Sequence, residues 1–252
     1  MSEDAPTRED YEDLRRRFTE CKEDLDQFAY AVSHDLQEPL RMISQYVSLI
    51  QEEILPVVEK HEDKETVEEA KLFCEYAVDG AARMRRMLDG LLSYSRAGRL
   101  DDTFETIDMG QAAKDAIAML NGALKAADAE IHVGSLPSMN ANRLMMTRVF
   151  LNLLSNAIKF RVPNRPLKID VTVEERDDEY EFVVTDNGRG FDQQFADRIF
   201  VIYQRLDKKV KGTGIGLSVC RKIVERHGGR IWATSPGVGK GASFHFTVRK
   251  QS

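Results

Sequence analysis

NLLSNAIKF, residues 152 to 160, decides how the rest of this chain is read. On a helix, Asn152, Asn156 and Lys159 fall on one face, because their spacings are four and three. An amide oxygen is a hard, neutral ligand suited to Mg²⁺, which keeps several waters and binds nucleotide phosphates. A nearby lysine can neutralise phosphate charge. An amphipathic helix with surface asparagines reads the same way, so this stretch needs company.

Two later segments supply it. DNGRGFD, residues 186 to 192, follows a run that reads as a strand. A carboxylate at a strand end can accept a hydrogen bond from an exocyclic amine. Gly188 and Gly190 let the backbone turn sharply and approach a flat ring. An ordinary Asp-Asn-Gly turn is the plain alternative. GTGIGL, residues 212 to 217, opens a helix, where glycines expose backbone N–H groups and the positive dipole end to phosphate. No GK[ST] follows, so it is not a Walker A loop, and alone it is weak. Upstream, Arg205, Lys208, Lys209 and Lys211 make a basic loop, a pattern that is more often a solvated charge run. In this order the three segments offer a metal ligand, a base contact and a phosphate cradle.

Around them the pattern predicts a mixed α/β sandwich. Strands are expected at Phe104 to Ile107, Glu130 to Val133, Leu167 to Glu174, Tyr180 to Thr185, Arg230 to Thr234 and Ser243 to Val248. Helices fit Arg143 to Phe160 and Gly216 to His227, and Asp108 can cap another carrying Ala112, Ala116 and Leu120.

Residues 8 to 98 follow a different grammar, nearly free of glycine. Tyr11, Leu14, Phe18, Cys21, Leu25, Phe28 and Val32 alternate steps of three and four, the seam of a coiled coil. The series continues through Leu36, Leu40, Ile43, Val47, Ile50 and Ile54. Three successive steps of four between Phe28 and Leu40 form a stutter, which locally unwinds a supercoil. Pro39 sits inside it and is expected to bend the helix. A break is expected near Pro56 to Asp63, then a second helix from Lys64 to Ala97 with Ala70, Phe73, Ala77, Ala81, Met84, Leu88 and Leu91 on one face. One helical hairpin has too little core to stand alone, and two make a four-helix bundle, so a homodimer is the natural solution. Gly98 to Asp102 is a short polar link.

Composition narrows the class. The chain has 252 residues, 42% hydrophobic and 31% charged, enough to bury real cores. A net charge of −6 argues against a general nucleic-acid binder. Cys21, Cys74 and Cys220 are far apart and suggest neither a disulfide nor a metal framework. No apolar run approaches the ~20 residues that span a bilayer. The acidic start, MSEDAPTRED, is unlike a signal peptide. The expectation is a soluble, cytoplasmic protein without direct membrane insertion.

At this point the sequence resembles sensor histidine kinases of two-component systems. NLLSNAIKF is similar to their N box, DNGRGFD to the G1 box, IFVIYQRL (199 to 206) to the F box and GTGIGL to the G2 box. AVSHDLQEPLR resembles the H box that carries the phosphorylated histidine, in a form similar to phytochrome-like kinases. The likeness runs from about Tyr11 to Val248. It implies an α+β protein: an N-terminal coiled-coil signalling helix (1–27), a dimeric phosphotransfer hairpin (28–98) and a Bergerat-type, α/β-sandwich ATP-binding domain (103–252).

The resemblance also implies roles. Asn156 would be the Mg²⁺ ligand with Asn152 nearby, Lys159 and Phe160 would lie beside ATP, and Asp186 would bind the adenine amine. Gly188, Gly190, Gly212, Thr213, Gly214, Gly216 and Leu217 would shape the pocket, with Arg205 and Lys211 on a mobile lid. His34 would take the γ-phosphate and pass it to an aspartate on a response-regulator receiver domain. The upstream sensor is absent from this chain.

The heptad supports His34 independently. Val32 and Leu36 occupy the seam, so His34 falls on the outer surface of the bundle, where a nucleotide can reach it. Asp35 beside it can hold the ring tautomer and strengthen the nucleophilic nitrogen. A sensor controlling the bend near Pro39 would control access to it. The other histidines have plainer readings: His61 in the hairpin loop, His227 at a helix C-terminus favouring partial positive charge, His132 and His245 as exposed strand residues.

One position departs from the family. Glu38 stands four residues after His34, where many members have Thr or Asn to position water for dephosphorylating the partner, so weak phosphatase activity is expected. Ile202 and Tyr203 replace the usual proline and phenylalanine of the F box. Two rivals remain. A gyrase-like clamping ATPase needs a carboxylate near the N box, and Asn152 to Ser155 contain none. A dimeric scaffold with a degenerate nucleotide site needs missing motif residues, and none is missing.

Overall fold

The computed structural model describes residues 13, 16, 17, 32, 33, 35–61, 63–96, 103–207, 210 and 212–250. His34, Lys208, Lys209, Lys211, the link from Gly98 to Asp102 and nearly all of the expected N-terminal coiled coil lie outside the described residues. The chain divides into two compact units, Met1–Ser95 and Arg96–Ser252.

The first unit is an antiparallel helical hairpin. Helix α1 (residues 35–49) runs through Pro39 without interruption. It widens into a π-helical turn, Ile50–Ile54, and continues as the short α2, Leu55–Val58, with Pro56 in its first turn. The break expected between Pro56 and Asp63 falls in the turn 59–61, after α2 and not at the proline itself. The physical reason is the wide turn that precedes the proline, where the Leu55 N–H reaches the Ile50 carbonyl five residues back. Asp63 then opens α3, Lys64–Arg96, its Oδ1 accepting from the N–H groups of Glu65 and Thr66 at 2.9 and 3.0 Å.

The two arms meet through Gln37, whose Nε2 donates to Asp89 Oδ1 at 2.8 Å, and through the ion pair of Glu59 with Lys71 at 2.5 Å. Within this unit Leu40, Leu55, Val67, Ala81 and Leu92 are buried. Leu36, Ile43, Tyr46, Ile50, Ile54, Phe73, Tyr76 and Met84 are exposed. Among the described residues, most of the seam from Leu36 to Ile54 is thus exposed in one chain.

The second unit is the expected α/β sandwich. In order it holds β1 (Glu105–Asp108), α4 (Met109–Met119), α5 (Asn121–Ala126), β2 (Ala129–Val133), β3 (Ser138–Ala141), α6 (Arg143–Lys159), β4 (Leu167–Glu175), β5 (Glu179–Asp186), α7 (Gly216–Arg226), β6 (Ile231–Thr234) and β7 (Ala242–Arg249). Five strands form one sheet in the order β2-β4-β5-β7-β6, with β2 and β4 parallel and the other neighbours antiparallel. β1 and β3 pair separately. The sequence pattern missed β3 and α5, which are short and lack a clear period.

Alternation explains the core. Leu167, Ile169 and Val171 of β4, Phe182 and Val184 of β5, and Phe244, Phe246 and Val248 of β7 point to one face and are buried. α6 lays Val149, Phe150, Leu153, Leu154 and Ala157 on that face. Phe182 and Phe246 stack at 4.9 Å, and Phe150 meets Phe246 edge-on at 5.7 Å. Burying each such ring contributes about 1.5–3 kcal/mol.

Candidate functional site

α6 starts where Asn142 caps it, its Oδ1 accepting from Met145 N–H at 3.0 Å. With its apolar face committed to the core, Asn152, Asn156 and Lys159 are left partly exposed on the other side. Gly212 in the loop before α7 and Gly216 at the start of α7 lie along that face. A Cβ on Gly216 would come within 3.3 Å of Asn152 Oδ1, and one on Gly212 would collide with the Lys159 ammonium. The loop 212–216 therefore runs beside α6 from Lys159 back to Asn152, past Asn156. Gly214, at φ +74°, accepts from Tyr203 N–H at 3.1 Å and so joins the F-box segment to this loop.

The turn after β5 is fastened to the C-terminal end of α6. Arg189 N–H donates to the Phe160 carbonyl at 2.8 Å. Asp186 is buried, and its Oδ1 accepts from Gly188 N–H at 2.7 Å. A side chain at Gly188 would meet that oxygen at 2.6 Å and the Phe160 carbonyl at 2.8 Å, so only glycine fits. Asn187 bolts the turn to β4: its Oδ1 accepts from Lys168 N–H at 2.9 Å and its Nδ2 donates to the Pro166 carbonyl at 3.0 Å. Gly190, at φ +59°, has the carbonyls of Gly237 and Gly241 where a Cβ would stand.

Burial and charge set the protonation states. Burial pushes the Asp186 carboxyl up, opposed by the N–H groups of Gly188 and Ala242 and by the charge of Arg165. Burial, and secondarily the charge of Arg205, pull the Lys159 ammonium down. Its Nζ lies 4.9 Å from the Phe160 ring centre. A second positive charge acting on Lys159 favours an anion beside the pair. Beside Asn152, Cys220 is fully buried and its thiol is pushed up to about 12, which leaves it inert.

Asn152, Asn156, Lys159, Phe160, Asp186, Gly188, Gly190, Gly212, Gly214 and Gly216 thus gather on one side of this unit, with Thr213 and Leu217 in the same loop and helix start. Arg205 turns back on its own loop, Nη2 donating to the Val210 carbonyl. The set fits a nucleotide. It offers a buried acceptor for a base, close-approach glycines, an eleven-residue helix opening toward the loop and a cation. An Mg²⁺ ion, which takes few protein ligands, fits the Asn156 amide together with phosphate oxygens. Among the described residues, no group of three or more His, Cys, Asp or Glu could hold a metal by itself.

In the hairpin, Asp35 is exposed on α1. The Glu38 carboxylate is gripped by Arg41 at 2.6 and 3.1 Å, which holds its pKa below the usual range.

Two histidine readings are corrected. His227 is buried, not a cationic cap: Nδ1 donates to the Ile223 carbonyl at 2.8 Å and Nε2 accepts from Asn142 N–H at 3.1 Å. Burial pulls its pKa down. His245 is half-covered between Glu181 and Thr234, at 3.0 and 3.1 Å, and stacks on Trp232. Arg165, Ser235 and Gly241 shape the turn after β5 and were not foreseen. Of these only Gly241 left a trace, in the glycine-rich SPGVGKG at 235–241.

Comparison with known proteins agrees with this geometry. Residues 141–252 match the family described as Histidine kinase-, DNA gyrase B-, and HSP90-like ATPase, and residues 24–99 match the His Kinase A (phospho-acceptor) domain. The chain is 38% identical over 242 residues to the phytochrome-like protein Cph1 of Synechocystis, covering 95% of this chain and 31% of that protein. Cyanobacterial phytochrome A of Nostoc is 39% identical over 238 residues, covering 94% and 29%. The chain spans about a third of the length of these relatives.

Among solved structures, histidine kinase ThkA in complex with response regulator TrrA has a TM-score of 0.60 at 20% identity, covering 99% of this chain and 68% of that one. Full-length ShkA with AMPPNP has a TM-score of 0.64 at 19% identity, covering 90% and 46%. At these identities the likeness speaks to the fold alone. A phospho-acceptor hairpin followed by a Bergerat-type ATP-binding domain, matched in that order along one chain, makes this protein a member of the sensor histidine kinases.

Proposed function

We propose that this chain is the cytoplasmic kinase core of a larger sensor kinase, moving the γ-phosphoryl group of ATP to His34 and then to a response-regulator aspartate. The observation that supports it best is convergence. Four segments, α6, the turn after β5, the F-box loop and the loop before α7, meet around Asp186, Asn156 and Lys159 in a domain joined to a matched phospho-acceptor hairpin.

Each residue has a definite task in this reading. Asp186 accepts from the exocyclic amine of adenine, and Gly188 and Gly190 let the ring lie against the backbone. Lys159, Arg205 and Lys211 offset phosphate charge, while N–H groups at Gly212 to Leu217 cradle the phosphates. Asn156, with Asn152 nearby, holds Mg²⁺, which when bound withdraws charge from the phosphates. The His34 ring nitrogen attacks phosphorus, the bond to the bridging oxygen breaks, and Asp35 holds the ring in the productive tautomer. Glu38, already committed to Arg41, is a poor device for orienting water, so the chain contributes little phosphatase activity. Two hairpins associate as a homodimer through the exposed seam.

The test is incubation with γ-labelled ATP and Mg²⁺, comparing wild type with His34→Gln and Asn156→Ala. Acid-labile, base-stable label on the wild type, absent from His34→Gln and reduced at least about 100-fold in Asn156→Ala, is expected. Label surviving in His34→Gln moves the acceptor elsewhere. ATP bound without any label favours a scaffold.

A further inference from the structure

Arg165 lies in the loop between α6 and β4, exposed, yet its guanidinium is the meeting point of three main-chain carbonyls from two other loops. Nη2 donates to the carbonyls of Asn187 and, at 3.0 Å, Gly188, and Nη1 donates to that of Gly239 at 3.4 Å. The Asn187 contact matters most. A trans peptide points its C=O and N–H in opposite directions. The Asn187 carbonyl and the Gly188 N–H belong to one such peptide. With its carbonyl held by Arg165, its N–H is aimed at Asp186 Oδ1, 2.7 Å away.

Glycine at 188 leaves that peptide intrinsically free to rotate, since no Cβ restricts its φ. The guanidinium fork supplies the missing restraint and fits several acceptors at once, which a lysine ammonium cannot do in a fixed geometry. The same fork closes the β6–β7 loop onto the turn. Gly239 is bonded to Arg165, and Gly241 N–H donates to the Gly188 carbonyl at 3.1 Å. Arg165 also favours the ionised form of Asp186 against the cost of burial.

We propose that Arg165 is a positioning residue for nucleobase recognition: by holding the Asn187–Gly188 peptide it fixes the Asp186 carboxylate for the exocyclic amine of adenine. The inference rests on the reading of Asp186 as the adenine contact. Arg165 touches no reacting atom. It acts on affinity and base preference and leaves the phosphoryl-transfer step alone.

The experiment measures autophosphorylation kinetics of the full chain with ATP and with inosine triphosphate, which carries a carbonyl in place of the amine. The variants are Arg165→Met, Arg165→Lys and Asp186→Asn, each with its melting temperature recorded. For Arg165→Met, KM for ATP is expected to rise about tenfold, equivalent to about 1.4 kcal/mol, with kcat within about twofold. Its preference for ATP over inosine triphosphate should shrink toward that of Asp186→Asn, with Arg165→Lys in between. An unchanged preference in Arg165→Met, while Asp186→Asn loses it, overturns the role of Arg165. Equal weakening toward both nucleotides also overturns it, because Arg165 would then act on phosphate or fold. Full preference retained in Asp186→Asn overturns the reading of Asp186 itself, and the inference with it.

Discussion

Asp186 shows how one residue carries opposed demands. Its carboxyl is buried, and its pKa is raised. A carboxyl whose folded pKa lies above its unfolded value favours folding most at low pH. That contribution is lost as pH rises through the folded pKa. At neutral pH the ionised Asp186 therefore costs stability, a cost that the proposed role as acceptor for the adenine amine would account for. Asp186→Asn keeps an oxygen for the Gly188 N–H and removes the charge. It should melt higher than wild type at pH 7.5, with the difference narrowing toward pH 4. It should also bind ATP about 10- to 100-fold more weakly, the value of a hydrogen bond to a charged group. Thermal unfolding across pH, with calorimetric titration of ATP, checks both halves. A variant that binds ATP normally would remove Asp186 from the site.

At the scale of elements, one buried side chain locks the end of α7 to the start of α6. His227, at the end of α7, joins the Ile223 carbonyl to the Asn142 N–H at the start of α6 and packs against Phe104 at 4.8 Å. Both bonds require the neutral ring with the proton on Nδ1. The folded pKa lies below the ordinary 6.5, so the stabilisation is complete above that pH and is lost as pH falls through the folded value. His227→Leu leaves the buried Asn142 N–H without its acceptor, at a cost of about 1–3 kcal/mol. The deficit relative to wild type should be largest near pH 8 and shrink toward pH 5, as followed by urea unfolding of the ATP-binding domain. A deficit that grows on acidification would mean the ring is charged in the fold.

At the scale of the whole molecule, the hairpin leaves its apolar seam open. Phe73 and Tyr76 are 65% and 64% exposed, and Tyr46, Ile50 and Ile54 lie open on the opposite arm. A monomer rarely exposes so many large apolar side chains on one hairpin, and a second hairpin is the partner that would cover them. Phe73→Glu with Tyr76→Glu should convert a dimer to monomers at micromolar concentration in sedimentation experiments, while ATP binding stays within about twofold. A double variant that remains dimeric would place the interface elsewhere.

The sequence by itself determined the two-part architecture, most of the strands and which side of α6 carries the asparagines and lysine that Gly212 and Gly216 approach. These are local properties. Period four and three marks one side of a helix, period two marks one side of a strand, and a turn lacking room for Cβ must be glycine. Tertiary structure decided what depends on residues far apart. Arg165 reads as a loop cation until two other loops bring it Asn187, Gly188 and Gly239. His227 reads as a cap until Asn142, 85 residues earlier, supplies an N–H for it. His245 reads as a surface residue until β5 sets Glu181 beside it. Long-range contacts leave no period in a sequence, since hydrogen bonds and burial at such positions follow from chain topology and not from neighbouring residues.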